Sequence, residues 1–188
     1  MTRDAGAGTV LRLLHVEDVD QVYEIEKQSF LEPWGRERFV KMCPREELGR
    51  CIILEKAGQV IGYFVSNVET GRFHLLSLAI HPAHRRQGHA TRCLECVQRL
   101  ATYGAMKTCP DHPGAAHLRE EPEGEIYLEV SERNLAAQCL YRKMGYRATR
   151  ILRNHYPGRD EDAYVMTRKI TRADVAAVLK AREGAVGS

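Results

Sequence analysis

The chain has 188 residues, 44% of them hydrophobic and 28% charged, with a formal net charge of +3. That is enough chain for one domain with a sizeable core, in the composition of an ordinary globular protein, and the near balance of charge removes any global case for a nucleic-acid binder. No apolar run approaches the ~20 residues that span a bilayer and residues 1–8 lack the apolar stretch of a signal peptide, so a cytoplasmic protein with no membrane partner is expected.

Residues 1–8 read as a flexible N-terminus, and Thr9 to His15 alternates like a first strand. Asp18 opens a helix that carries Val19, Val22, Tyr23, Ile25 and Glu26 at helical spacing. Pro33 breaks it, and Trp34 to Met42 reads as a second short helix. Cys51 to Glu55 and Val60 to Val68 form a hairpin about Lys56-Ala57-Gly58. Arg72 to Ile80 is the next strand, ended by His81-Pro82.

Arg85-Arg86-Gln87-Gly88-His89-Ala90 then makes a basic, glycine-containing loop that runs directly into a helix. Ala90, Cys93, Leu94, Val97, Leu100 and Ala101 recur at intervals of three and four, with Gly104 near the helix end. Such a loop aims backbone N–H groups and a helix N-terminus at one spot, which suits a pyrophosphate. Taken alone, the same residues also fit an ordinary turn.

Residues 105–124 hold Pro110, Pro113, Gly114, Pro122 and Gly124 with little periodic apolar content. They read as a long inserted loop of the kind that is often functional. Its Cys109, Asp111, His112 and His117 match no standard zinc spacing, and no metal is expected. Glu125 to Val130 is a strand, Asn134 to Met144 a helix closed by Gly145, and Tyr146 to Arg153 with Asp162 to Ile170 a final antiparallel pair. Residues 172–182 add a small helix. The fold class is mixed α/β on one sheet, with residues 9–170 as the domain, 105–124 inserted in it, and 171–188 as a C-terminal extension.

Of six cysteines, Cys93 and Cys96 form a CxxC inside a helical pattern, where packing explains them better than redox or zinc chemistry. Free thiols are the default without an export signal. Positive charge gathers locally at Arg85 and Arg86 and again at Arg142, Lys143, Arg147, Arg150 and Arg153. It suits cofactor phosphates or an acidic partner surface, and equally a solvated face.

The stretch Leu128-Glu129-Val130-Ser131-Glu132-Arg133-Asn134 through Leu140-Tyr141-Arg142-Lys143-Met144-Gly145-Tyr146 is followed by Arg153-Asn154-His155-Tyr156-Pro157 and Glu161-Asp162-Ala163-Tyr164-Val165-Met166. Together with Ile25-Glu26, Pro33-Trp34 and the loop at 85–90, these residues resemble the RimI branch of the GNAT acetyltransferases. Motifs in this order carry more than any one of them alone. The resemblance covers residues 9–170 apart from the 105–124 loop. It implies a central, mostly antiparallel sheet flanked by helices, with strands 4 and 5 splayed apart and acetyl-CoA in the opening. It also implies acetylation of protein N-termini, the type case being the N-terminal alanine of ribosomal protein S18.

The same resemblance assigns roles. Glu129 is the general base and Tyr141 the general acid that protonates the leaving thiolate; a phenol with a pKa of ~10 keeps its proton at neutral pH. Leu78, Ala79 and Ile80 meet the pantetheine arm through their backbone, Arg85, Arg86, Gln87, Gly88, His89 and Ala90 hold the pyrophosphate, and Asn134 makes a polar contact to the arm. Ala90 stands where many relatives have a second glycine, a change the family tolerates. Tyr156 covers the acceptor peptide, and Phe30, Leu31 and Trp34 wall its other side. Seven residues separate Asn134 from Tyr141, two helical turns, which puts both on one face. Cys139 reads as helix packing. A GNAT enzyme acting on lysine or a small amine, or a non-catalytic acetyl-CoA sensor or scaffold, stays open at this point.

Overall fold

A computed structural model describes residues 8–43, 50–69, 72–107, 124–156 and 158–186. Seven strands and five α-helices run in the order β1 (Thr9–Leu13), α1 (Val19–Ser29), α2 (Arg36–Met42), β2 (Arg50–Lys56), β3 (Gln59–Glu69), β4 (Arg72–Ile80), α3 (His89–Lys107), β5 (Glu125–Ser131), α4 (Leu135–Lys143), β6 (Arg147–Tyr156), β7 (Glu161–Lys169) and α5 (Arg172–Val186) among the described residues. The strands form one sheet in the order β1-β2-β3-β4-β5-β7-β6. Pairing is antiparallel for β1 with β2, β2 with β3, β5 with β7 and β6 with β7. β4 and β5 pair parallel at Phe73↔Ile126 and His74↔Tyr127.

The chain divides into two compact units, Met1–Val68 with Leu75–Leu94, and Glu69–His74 with Glu95–Ser188. In the first, α1 turns Val19, Val22 and Ile25 inward against Phe39 of α2 and Cys51, Ile53, Tyr63 and Val65 of the strands. Full burial of one such side chain contributes about 1.5–3 kcal/mol. Arg12 of β1 donates to both carboxylate oxygens of Asp18 at 2.6 and 2.8 Å, and to Glu55 of β2 at 2.7 Å. Asp18 also accepts the His15 N–H at 2.9 Å, so its carboxylate closes the turn that leads into α1. Gly62 of β3 is required by close approach: a Cβ there would lie 2.5 Å from Ile80 Cδ1 and 2.9 Å from the Ala79 carbonyl oxygen.

In the second unit Leu128 and Val130 alternate with Tyr127, Glu129 and Ser131 along β5, the first set buried and the second only partly so. This period of two gives one packed face and one face free for chemistry. Arg168 of β7 donates to the Met144 carbonyl at 3.1 Å and to Asp174 of α5 at 2.7 Å, tying the end of α4 and the start of α5 to the sheet.

Several boundaries differ from expectation. α1 ends at Ser29, and Phe30 is already extended, so the helix stops ahead of Pro33. Trp34 lies before α2, whose N-cap is Gly35. α3 continues through Gly104 to Lys107, a glycine in a helix costing only about 1 kcal/mol against alanine. Residues 108–123 lie outside the described residues, and with them most of the expected inserted loop and Cys109, Asp111, His112 and His117. Residues 1–7 of the expected flexible N-terminus lie outside them too. Tyr156 is the last residue of β6, paired with Glu161, rather than a loop residue. The register shifts between Leu152, which pairs with Ala163, and Tyr156. No described helix is long and apolar enough to cross a membrane.

Candidate active site

The first unit carries the loop and strand end expected to meet acetyl-CoA. A short 3-10 turn, Pro82–His84, follows β4, and Arg86 and Gly88 then adopt positive φ of 62° and 82°. The Arg92 N–H reaches the Gly88 carbonyl at 3.1 Å as α3 begins. The first N–H groups of a helix have no partner within it, and no acidic residue stands in the first turn of α3 to compete with an anion. The loop therefore fits a pyrophosphate by its backbone.

The side chains do less there than their charges suggest. Arg85 donates from Nε to the Ile80 carbonyl at 2.9 Å and from Nη2 to Ser29 Oγ at 3.1 Å, bracing the strand end against α1. Gln87 donates to the Ala83 carbonyl at 3.3 Å. His89 is buried, and neither ring nitrogen has a partner among the described residues. Burial, with Lys56, His84 and Arg92 adding to it, pushes its pKa down and keeps the ring neutral. Leu78 is half-buried, and Ala79 and Ile80 are buried in β4. Leu31 is 83% exposed, Phe30 only partly so, while Trp34 packs on the core with its ring 6.0 Å from Phe39 and Arg38 3.5 Å above its centroid.

The second unit carries the expected acid and base. Glu129 projects from the partly open face of β5, and its Oε2 lies 2.6 Å from Nε2 of His74 on β4. Burial pushes the Glu129 carboxyl up, but His74, by hydrogen bond and charge, and then His155 outweigh it and hold the group below its ordinary value. His74 is itself fixed: it stacks on Tyr127 at 4.1 Å and 17°, and Tyr127 donates from its hydroxyl to Glu69 at 2.8 Å. Arg72 lies over the other ring system at 4.4 Å from the Tyr127 centroid and pairs with Glu125. Nδ1 of His74 is 3.6 Å from Glu69. His74 was not singled out in the sequence. Its signal was weak, one histidine in an apolar strand, and its meaning comes from the β4–β5 register that sets it beside Glu129's neighbour Tyr127.

Tyr141 lies on α4 with its ring 5.8 Å from that of Tyr146. Burial, with Tyr156 adding to it, raises its pKa to about 12, so it remains a proton donor at neutral pH. Tyr156, whose pKa is likewise raised by burial and then by Glu161 and Glu129, packs edge-on to His155 at 5.0 Å. The second unit thus gathers Glu129, His74, His155, Tyr156 and Tyr141. Asn134 is the N-cap of α4, not a helical residue, and its Oδ1 accepts the Ala137 N–H at 3.1 Å. An outside partner would meet its amide nitrogen. Cys139 is exposed, contrary to its reading as packing, because the buried side of α4 is held by Gln138, which donates to the carbonyls of Ser131 and Glu132 at 2.9 Å each. Cys43 and Cys51 are also free thiols.

A model of the acetyltransferase (GNAT) family matches residues 19–146. The [ribosomal protein bS18]-alanine N-acetyltransferase of Escherichia coli K12 is 27% identical over 164 residues, covering 84% of this chain and 95% of the relative. An N-alpha-acetyltransferase of Saccharolobus solfataricus is 27% identical over 180 residues, covering 89% of this chain and 97% of the relative. The crystal structure of the E. coli ribosomal-protein-S18-alanine N-acetyltransferase superposes with a TM-score of 0.68 at 25% identity, over 87% of this chain and 94% of that one.

Proposed function

The chain belongs to the acetyltransferase (GNAT) family, and on that premise we propose that it moves the acetyl group of acetyl-CoA to the α-amino group of a protein N-terminus, with the N-terminal alanine of ribosomal protein bS18 as the substrate to test first. The observation that carries the proposal is the 2.6 Å contact between Glu129 and His74. A half-buried carboxylate held ionised by a histidine is equipped to take one proton from an amine and to release it to solvent after the transfer.

The acceptor must be neutral to attack a thioester. An α-amino group with a pKa near ~7.8 is already neutral in over a tenth of molecules at pH 7, whereas a lysine at ~10.4 is neutral in fewer than about one in a thousand. A base of modest strength is therefore enough for an N-terminus, provided the amine is well placed. Glu129, with His74 behind it, accepts the amine proton directly or through water. Tyr141 gives its phenolic proton to the departing sulfur. Tyr156, Phe30, Leu31 and Trp34 position the acceptor, the backbone of Leu78, Ala79 and Ile80 meets the pantetheine arm, and the 85–90 loop holds the pyrophosphate. Acetyl-CoA supplies the activated acyl group, and no nucleophilic cysteine is needed. The reaction is expected in the cytoplasm.

The test is release of CoA with a short peptide beginning in alanine, against its N-terminally blocked copy carrying an internal lysine. Turnover with the free N-terminus alone is expected. Turnover with the blocked copy would move the acceptor to lysine, and silence with both would leave a small-amine enzyme, an acetyl-CoA sensor or a different peptide sequence, which a direct acetyl-CoA binding titration would begin to separate.

A further inference from the structure

Glu26 is the most deeply buried carboxylate among the described residues, 2% exposed, and the proposed chemistry does not use it. A buried carboxylate is costly unless its oxygens are matched, and here they are. Oε1 accepts the backbone N–H of Trp34 at 2.8 Å. Oε2 accepts the hydroxyl of Tyr63 on β3, and that hydroxyl lies 3.2 Å from Ser77 Oγ on β4. Ser77 sits between Leu76 and Leu78, in the strand assigned to the pantetheine arm. One side chain on α1 thus ties the start of the acceptor wall, the segment Phe30–Gly35, to the strand expected to carry the donor.

The ends of that segment are tied to the helices by the Phe30 N–H, which donates to the Glu26 carbonyl at 3.0 Å, and by the Gly35 carbonyl, which accepts from the Arg38 N–H at 3.0 Å. α1 has ended at Ser29, α2 does not begin until Arg36, and Leu31 projects into solvent. Six residues between two helices have no ladder of their own, and within them the Trp34 amide reaches a buried side-chain acceptor, the Glu26 carboxylate. We propose that Glu26 is a positioning residue for the acceptor: through the Trp34 amide, and through Tyr63 and Ser77, it sets where the wall stands relative to β4, and it touches neither substrate. The proposal rests on the assignment of Phe30, Leu31 and Trp34 to the acceptor side. It differs from a purely structural role in what it spares, since a support for the core as a whole would change the affinity for both substrates and the stability together.

Trp34 is the only tryptophan in the chain, so its fluorescence reports this segment without reference to activity. Glu26→Ala is expected to raise the peptide KM about tenfold, the size set by leaving the Trp34 N–H without its acceptor. The KM for acetyl-CoA should stay within about twofold and kcat should fall little, while acrylamide quenches Trp34 more readily than in the parent protein. Glu26→Gln should restore most of the peptide KM, because its amide oxygen still accepts from Trp34 and its NH2 donates to Tyr63 with the Tyr63 proton turned toward Ser77. If the alanine variant does not fold, Tyr63→Phe decides, with a peptide KM raised about threefold and the acetyl-CoA KM unchanged. A peptide KM unmoved in these variants, or an acetyl-CoA KM rising in step with it, overturns the proposal. Should the parent protein fail to turn over any free N-terminus, the proposed function falls first; unchanged quenching of Trp34 in Glu26→Ala would then overturn the positioning role on its own.

Discussion

Two glutamates on this chain show how surroundings divide one side-chain chemistry into two tasks. Glu26, in the first unit, is sealed among neutral donors, the Trp34 amide and the Tyr63 hydroxyl, and burial raises its pKa against the smaller opposing pull of the Trp34 amide and of Arg38. Glu129, in the second unit, is also pushed up by burial, but a histidine at 2.6 Å reverses the outcome. The first group is fitted to hold backbone in place, and the second stands ionised, as the proposed base role requires. Burial alone does not separate them; the partner does.

The sharpest way to break this contrast is at the proton's other end. Tyr141→Phe should lower kcat by about a hundredfold or more while acetyl-CoA binding is kept, because a general acid is removed and no binding contact is lost. A kcat that survives would take Tyr141 out of the acid role, and steady-state CoA release measures it.

Glu129→Gln should cost about tenfold in kcat/KM at pH 7, and the loss should shrink as pH rises and the α-amine becomes neutral unaided. His74→Ala tests the partner itself. With the histidine gone, burial is left to act on Glu129, so the acid limb of the pH–rate profile should move to higher pH. An acid limb that stays in place would leave His74 as packing only.

The smallest effect is the one that compares the two glutamates directly. Glu26 has a folded pKa above its ordinary 4.5, so its contribution to stability is present below that value and lost as pH rises through the folded one. Glu129 has a folded pKa below 4.5, so its contribution is present above that value and lost as pH falls through the folded one. Melting temperatures of Glu26→Gln and Glu129→Gln against the parent protein should therefore drift in opposite senses with pH, by on the order of 2–4 °C. Parallel drifts would mean that the two carboxylates share one environment after all.

Much of this protein was legible in the chain itself. The order of strands and helices follows from periodicity and from turn residues, because burial on one face writes a period of two or of 3.6 into the sequence. Gly88, at positive φ ahead of α3, occupies a backbone position that favours glycine, so its local setting was recoverable too. Glu129 and Tyr141 came from motifs that resemble a family.

What only the tertiary structure decided is partnership across the sheet. His74 is separated from Glu129 by 55 positions and is joined to it by strand register. Arg85 and His89 look like phosphate ligands by charge, yet one is spent on Ile80 and Ser29 and the other is buried. A register shift at Thr149 pairs Arg147 with Thr167 and Arg150 with Val165, two residues apart on β7, so both arginines share the face of Tyr127 and Glu129. Strict alternation would have set them on opposite faces. Periodicity is a local property that each segment records in its own residues. Which side chains meet depends on register, bulges and burial, which belong to no single segment.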